Sequence, residues 1–74
     1  MIEIQLGKCL LFDLLKKRGW TQIALSDKTG IKKSQISAYI HNKQFMSLKT
    51  AILIASVLDC HVDDLYEYQI VEDQ

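Results

Sequence analysis

The chain has 74 residues, no proline, two cysteines and no net charge at pH 7, and 49% of its residues are apolar. That apolar content excludes a disordered tail as the main identity, and two cysteines are too few for the disulfide framework of a small secreted domain. The length allows one domain, 1–74, with a limited core that needs tight packing, a partner or both. The longest apolar run, AILIASVL (Ala51 to Leu58), is far too short to cross a bilayer, and MIEIQLGK does not read as a secretory leader. A reduced, cytoplasmic location without membrane contact is expected.

The charges are split along the chain. All nine Lys and Arg lie between Lys8 and Lys49, opposed there only by Asp13 and Asp27. From Thr50 onward there are acids and no Lys or Arg. Such asymmetry suggests a basic face for an anionic partner; the alternative is an ordinary solvated surface.

The first stretch, IEIQL, alternates apolar and polar residues with Ile2, Ile4 and Leu6 on one side, the period of a short strand. From Lys8 to Arg18 the spacing of Leu11, Leu14, Leu15 and Arg18 is helical, and Gly19 suits a helix C-terminus. Thr21 is an N-cap for a second helix that ends at Gly30, with Trp20 and Leu25 placed as a hydrophobic staple. A third helix runs from about Lys33 to His41, and Asn42 can take the left-handed conformation that ends it. Ser47 caps a fourth helix with an apolar stripe of Leu48, Ala51, Ile52, Ala55 and Leu58. A last short helix covers about Val62 to Tyr66, with Leu65 facing in, His61 at its N-cap and Asp63 and Asp64 in its first turn. EYQIV reads as a second strand. The expected fold class is all-α, five helices with short joins. The two terminal strands are open to forming a ribbon, within one chain or across a dimer. Cys9 and Cys60 are expected as small buried residues. Phe12 and Ile23 fall outside the expected core.

The stretch TQIALSDKTGIKKSQISAYI (Thr21 to Ile40) carries the chemistry. Two helices meet steeply across a short turn in a helix-turn-helix, and a glycine in that turn takes positive φ at least cost. Gly30 is in that place. Ser26, four residues earlier, is small enough for the helices to cross, and Leu25, Ile31, Ile36 and Tyr39 are placed to lock them. On a helical projection Ile36, Tyr39 and Ile40 share one arc of about 100°, and Lys33, Ser34, Ser37, Ala38 and His41 fill about 140° on the other side. That polar face is short and acid-free. Small residues let a helix lie deep in a major groove, and Lys and Ser can donate to base edges. Lys32 and Lys33 sit where the helix dipole also favours phosphate, and Gln22 sits where the second helix would cross the DNA backbone. No Gly-rich phosphate loop, nucleophile motif or paired carboxylates appear, so no enzyme and no cofactor are expected. Cys9, Cys60, His41 and His61 match no metal-ligand spacing, so no metal is expected either.

Thr21-Gln22, Leu25, Ser26, Thr29-Gly30-Ile31, Ile36-Ser37, Lys43, Ser47-Leu48, Ile54-Ala55, Leu58 and Leu65 fall in the order of a known pattern. In this the chain resembles the Cro/C1-type (Xre-like) helix-turn-helix family of phage and bacterial regulators, over roughly Lys8 to Tyr68. Its flanks look most like small Firmicutes phage or prophage regulators. The resemblance implies a five-helix, lambda-repressor-like domain. It also implies a sequence-specific double-stranded DNA-binding regulator, in the first place a repressor, that reads the major groove with the helix at about 33–41. It assigns Lys33 and Ser34 to bases, with Ser37 and Ala38 second in rank. It assigns Gln22, Gln35, His41 and Lys43 to the DNA backbone. A homodimer would then bind a two-fold operator with half-sites roughly 34 Å apart. With no residues left for a ligand-sensing domain, control would come from concentration, competition for the operator or a protein antagonist. Zero net charge and the outward Phe12 and Ile23 keep open an alternative on the same fold: a protein-interaction module such as an adaptor, antirepressor or antitoxin.

Overall fold

The computed structural model describes residues 1–72. The order is β1 (Ile2–Cys9), α1 (Leu11–Arg18), α2 (Gln22–Thr29), α3 (Lys33–Ile40), α4 (Leu48–Leu58), a single 3-10 turn (Val62–Asp64) and β2 (Tyr66–Glu72). The helices pack round one core. The ribbon of β1 and β2 extends from it, giving a molecule of 46 × 22 × 20 Å. Among the described residues no helix is long and apolar enough to cross a membrane.

The core is built from leucine and isoleucine spaced along every helical element. Leu11, Leu25, Ile36, Ile54, Leu58 and Leu65 are completely enclosed. Leu15, Tyr39, Ala51 and Ala55 close the gaps between them, and Trp20 and Ile31 pack against the edge. The helix ends follow local chemistry. Gly19 and Gly30 sit at φ 69° and 76° as left-handed caps. The Thr21 Oγ1 accepts from the Ala24 N–H at 3.0 Å, and the Ser47 Oγ from the Thr50 N–H at 3.2 Å. Asn42 and Asp59 take the left-handed region without being glycine.

The terminal strands form the ribbon left open by the sequence, antiparallel and within one chain beside the helices, with Ile4 opposite Ile70 and Leu6 opposite Tyr68. Three expectations change. Five helices become four and one 3-10 turn, because Tyr66 opens β2 instead of closing a helix. Its hydroxyl accepts from the Met46 N–H at 3.1 Å, across the fold. The turn is capped by the Asp64 carboxylate, which accepts from the backbone N–H of the exposed His61 at 2.9 Å. The first helix begins at Leu11, not Lys8, since Cys9 pairs with Tyr66 and the Leu10 N–H donates to the Leu65 carbonyl at 2.8 Å. The buried stripe of α4 is Ala51, Ile54, Ala55 and Leu58, while Leu48 and Ile52 stay exposed. Ile52 lies about 100° round from the centre of that stripe, beyond the reach of the packed elements.

The two cysteines are free; Cys9 is buried and Cys60 half-buried. Burial raises both thiols above their ordinary pKa, with Asp64 and Asp59 adding to it at Cys60, so both stay protonated at neutral pH.

Asn42 joins the ribbon to the helices. It holds φ 59° at the end of α3, and its Oδ1 accepts from the Cys9 N–H at 2.8 Å. Glycine there would keep the conformation and lose the bond; alanine would lose both. We expect Asn42→Gly to cost about 1 kcal/mol and Asn42→Ala about 2–3 kcal/mol in urea denaturation, in that order.

Candidate nucleic-acid interface

The unit formed by α2, its turn and α3 is laced by side chains that reach the backbone. The Gly30 N–H donates to the Ser26 carbonyl at 2.8 Å. The Ser26 hydroxyl, at the crossing, donates to the Ile31 carbonyl at 2.5 Å. Thr29 acts twice: its hydroxyl donates to the Leu25 carbonyl at 2.7 Å, and the same oxygen accepts from the Ile31 N–H at 3.2 Å. No buried side-chain polar atom among the described residues is left without a partner. With Leu25, Ile36 and Tyr39 buried beneath, α3 is held at a set angle to α2 rather than hung from a hinge.

Lys32 is extended at φ −61°, ψ 141°, and no side chain caps α3. The first turn of α3 is therefore left without a side-chain cap, and Lys32, Lys33 and Ser34 beside it are exposed. Ser37 and Ala38, one turn on, are half-buried, and the exposed His41 ends the helix. Helical spacing places Lys33, Ser34, Ser37, Ala38 and His41 on the side of α3 away from Ile36. Lys43 is exposed in the loop that follows, and Gln22 is half-buried in the first turn of α2. From Lys28 to Lys49 the chain has five lysines and no acid, so nothing local offsets this positive surface.

Gln35 is less free than expected. Its Nε2 donates to the Gln44 Oε1 at 2.6 Å and to the Tyr39 hydroxyl at 3.1 Å. Both amide protons are engaged, so donating to a phosphate would break one of these bonds. The pairing with Gln44 spans nine residues and a loop, and no local pattern in the sequence signals it. Phe12 and Ile23 do point outward, as expected. The Lys16 Nζ lies over the Phe12 ring, 5.3 Å from the centroid.

The helix-turn-helix family matches residues 11–65 of the chain. A similar protein is the SPbeta prophage-derived uncharacterized HTH-type transcriptional regulator YopS of Bacillus subtilis (strain 168). It is 46% identical over 71 residues, 95% of this chain and 96% of that protein.

Thr29 tests the lacing with little change of shape. We expect Thr29→Val, which keeps the branched side chain but leaves the Ile31 N–H unpaired, to cost about 1–3 kcal/mol in a urea titration. A loss under about 0.5 kcal/mol would show that these bonds do not hold the turn.

Proposed function

Because the chain belongs to the Cro/C1-type helix-turn-helix regulator family, we propose that it is a sequence-specific double-stranded DNA-binding transcriptional regulator. We read it as a repressor that acts in the bacterial cytoplasm. The observation that carries this is the outer face of α3: small, polar, acid-free, open at its N-terminus and rigidly presented by the turn. Such a helix fits a major groove, with Lys33 and Ser34 at base edges and Ser37 and Ala38 deeper along the helix. Lys32, Lys43, His41 and Gln22 are placed for phosphates, which fix the register without reading sequence. Gln35 in this reading exchanges its bond to Gln44 for one to phosphate. Two copies would occupy a two-fold operator with half-sites roughly 34 Å apart.

A second reading, a protein-interaction module on the same fold, draws on the exposed Phe12 and Ile23. The two readings separate on DNA. Selection from random duplexes, followed by sequencing, is expected to return a two-fold site, and failure to enrich any duplex would sink the DNA reading. Affinity for the selected site should fall steeply with salt as counterions are released. Lys33→Ala should weaken that site by about 1–3 kcal/mol and relax preference at one base pair. Equal weakening on selected and random duplexes would move Lys33 to a phosphate role.

A further inference from the structure

The loop between α3 and α4, residues 41–47, has no regular structure, yet the base of the ribbon grips it at both ends. Cys9 and Tyr66 face each other across the ribbon where it meets the helices. The Cys9 N–H donates to the Asn42 Oδ1 at 2.8 Å, where the loop leaves α3. The Tyr66 hydroxyl accepts from the Met46 N–H at 3.1 Å, just before the cap of α4. The Tyr66 ring also lies against Phe45, with centroids 5.8 Å apart and planes tilted by 43°.

Between the two grips stand Lys43 and Gln44, both exposed. The Lys43 N–H donates to the Ala38 carbonyl at 2.9 Å, and the Gln44 Oε1 accepts from Gln35 of α3 at 2.6 Å. The stretch from Lys28 to Lys49 holds no acid, so nothing within it opposes an anion at Lys43. A loop that is ordered only on binding loses much of a contact's benefit to conformational entropy. Here the order is already present in the free chain. Cys9 and Tyr66 both lie outside the matched residues 11–65, so the hold reaches the helix-turn-helix unit from outside it.

We propose that Tyr66 is a positioning residue for DNA binding. With Cys9 it fixes the loop from the ribbon, so that Lys43 meets a phosphate without first having to be ordered. The proposal rests on the DNA-binding reading and adds to it a residue that itself touches no DNA. The ribbon then belongs to the DNA-binding apparatus through its base, whatever its apolar face does.

A double-mutant cycle tests this, on a selected duplex and on a random-sequence duplex. Tyr66→Phe keeps the ring and removes only the acceptor of the Met46 N–H. Lys43→Ala removes the phosphate donor, and should weaken both duplexes about three- to tenfold and lower the salt slope by about one. Tyr66→Phe should weaken both at least about threefold and move the salt slope toward that of Lys43→Ala. The two together should cost no more than Lys43→Ala alone, because Tyr66 acts through Lys43. A loss of stability alone would not vanish in the Lys43→Ala background. Asn42→Gly, which cuts the tie to Cys9 and keeps the backbone, should behave as Tyr66→Phe does. Tyr68→Phe, whose hydroxyl holds no part of the loop, should change nothing. Additive losses overturn the proposal.

Hydrogen exchange without DNA follows the hold itself. In Tyr66→Phe the Lys43 amide should exchange at least about threefold faster relative to the Ile54 amide of the core. An unchanged ratio overturns the proposal, since the loop would then be held without Tyr66. A wild-type chain that binds no duplex sinks the DNA reading and the proposal with it. A wild-type chain that binds, beside a Tyr66→Phe variant that binds equally well, overturns the proposal alone.

Discussion

Three of the four helices have only eight residues, α1, α2 and α3. Isolated helices shorter than about 12–15 residues are marginal in water, because nucleation costs more than so few hydrogen bonds return. These helices therefore exist only because they share a core. Each contributes one fully enclosed side chain: Leu11 from α1, Leu25 from α2 and Ile36 from α3. Ile54 and Leu58 of α4 and Leu65 after the 3-10 turn complete the set. Removing any of them would loosen every helix, including the one proposed to meet DNA. The recognition geometry is thus a property of the whole core and not of α3 alone.

The turn turns that dependence into precision. Gly30 supplies a conformation, but the angle between α2 and α3 is set by Ser26 and Thr29 reaching the backbone on either side of it. Ser26 in particular does more than fit. Its hydroxyl satisfies the Ile31 carbonyl at the point where alanine would leave only space. Helix crossing, glycine turn and start of α3 are consequently one hydrogen-bonded unit. Lys32 and Lys33 follow that unit directly in the chain.

What the sequence made legible was local. Gly19, Thr21, Gly30, Asn42 and Ser47 each act within a few residues of themselves, and each sits in the structure as expected. The helix-turn-helix order and the outward Lys32, Lys33 and Ser34 could be read for the same reason. What stayed hidden was set by distant contacts. Tyr66 leaves the last helix because its hydroxyl reaches Met46, and Cys9 leaves the first because it pairs with Tyr66. Gln35 is engaged by Gln44 across a loop. Asn42 was legible as a helix end but not as the acceptor for the Cys9 N–H, which is what makes it a better choice there than glycine.

The remaining misreading has a different character. Leu48 and Ile52 belong to a helical apolar stripe, and Ile2, Ile4 and Leu6 to an alternating one. Both are patterns of residues meant to leave water, yet one chain buries none of the five. A two-stranded ribbon with both faces wet is marginal, and a small domain has little core to hold it in place. The patterns and the structure agree if the missing burial is supplied from outside the chain. Whatever binds only the folded form at that face would add to its stability by mass action.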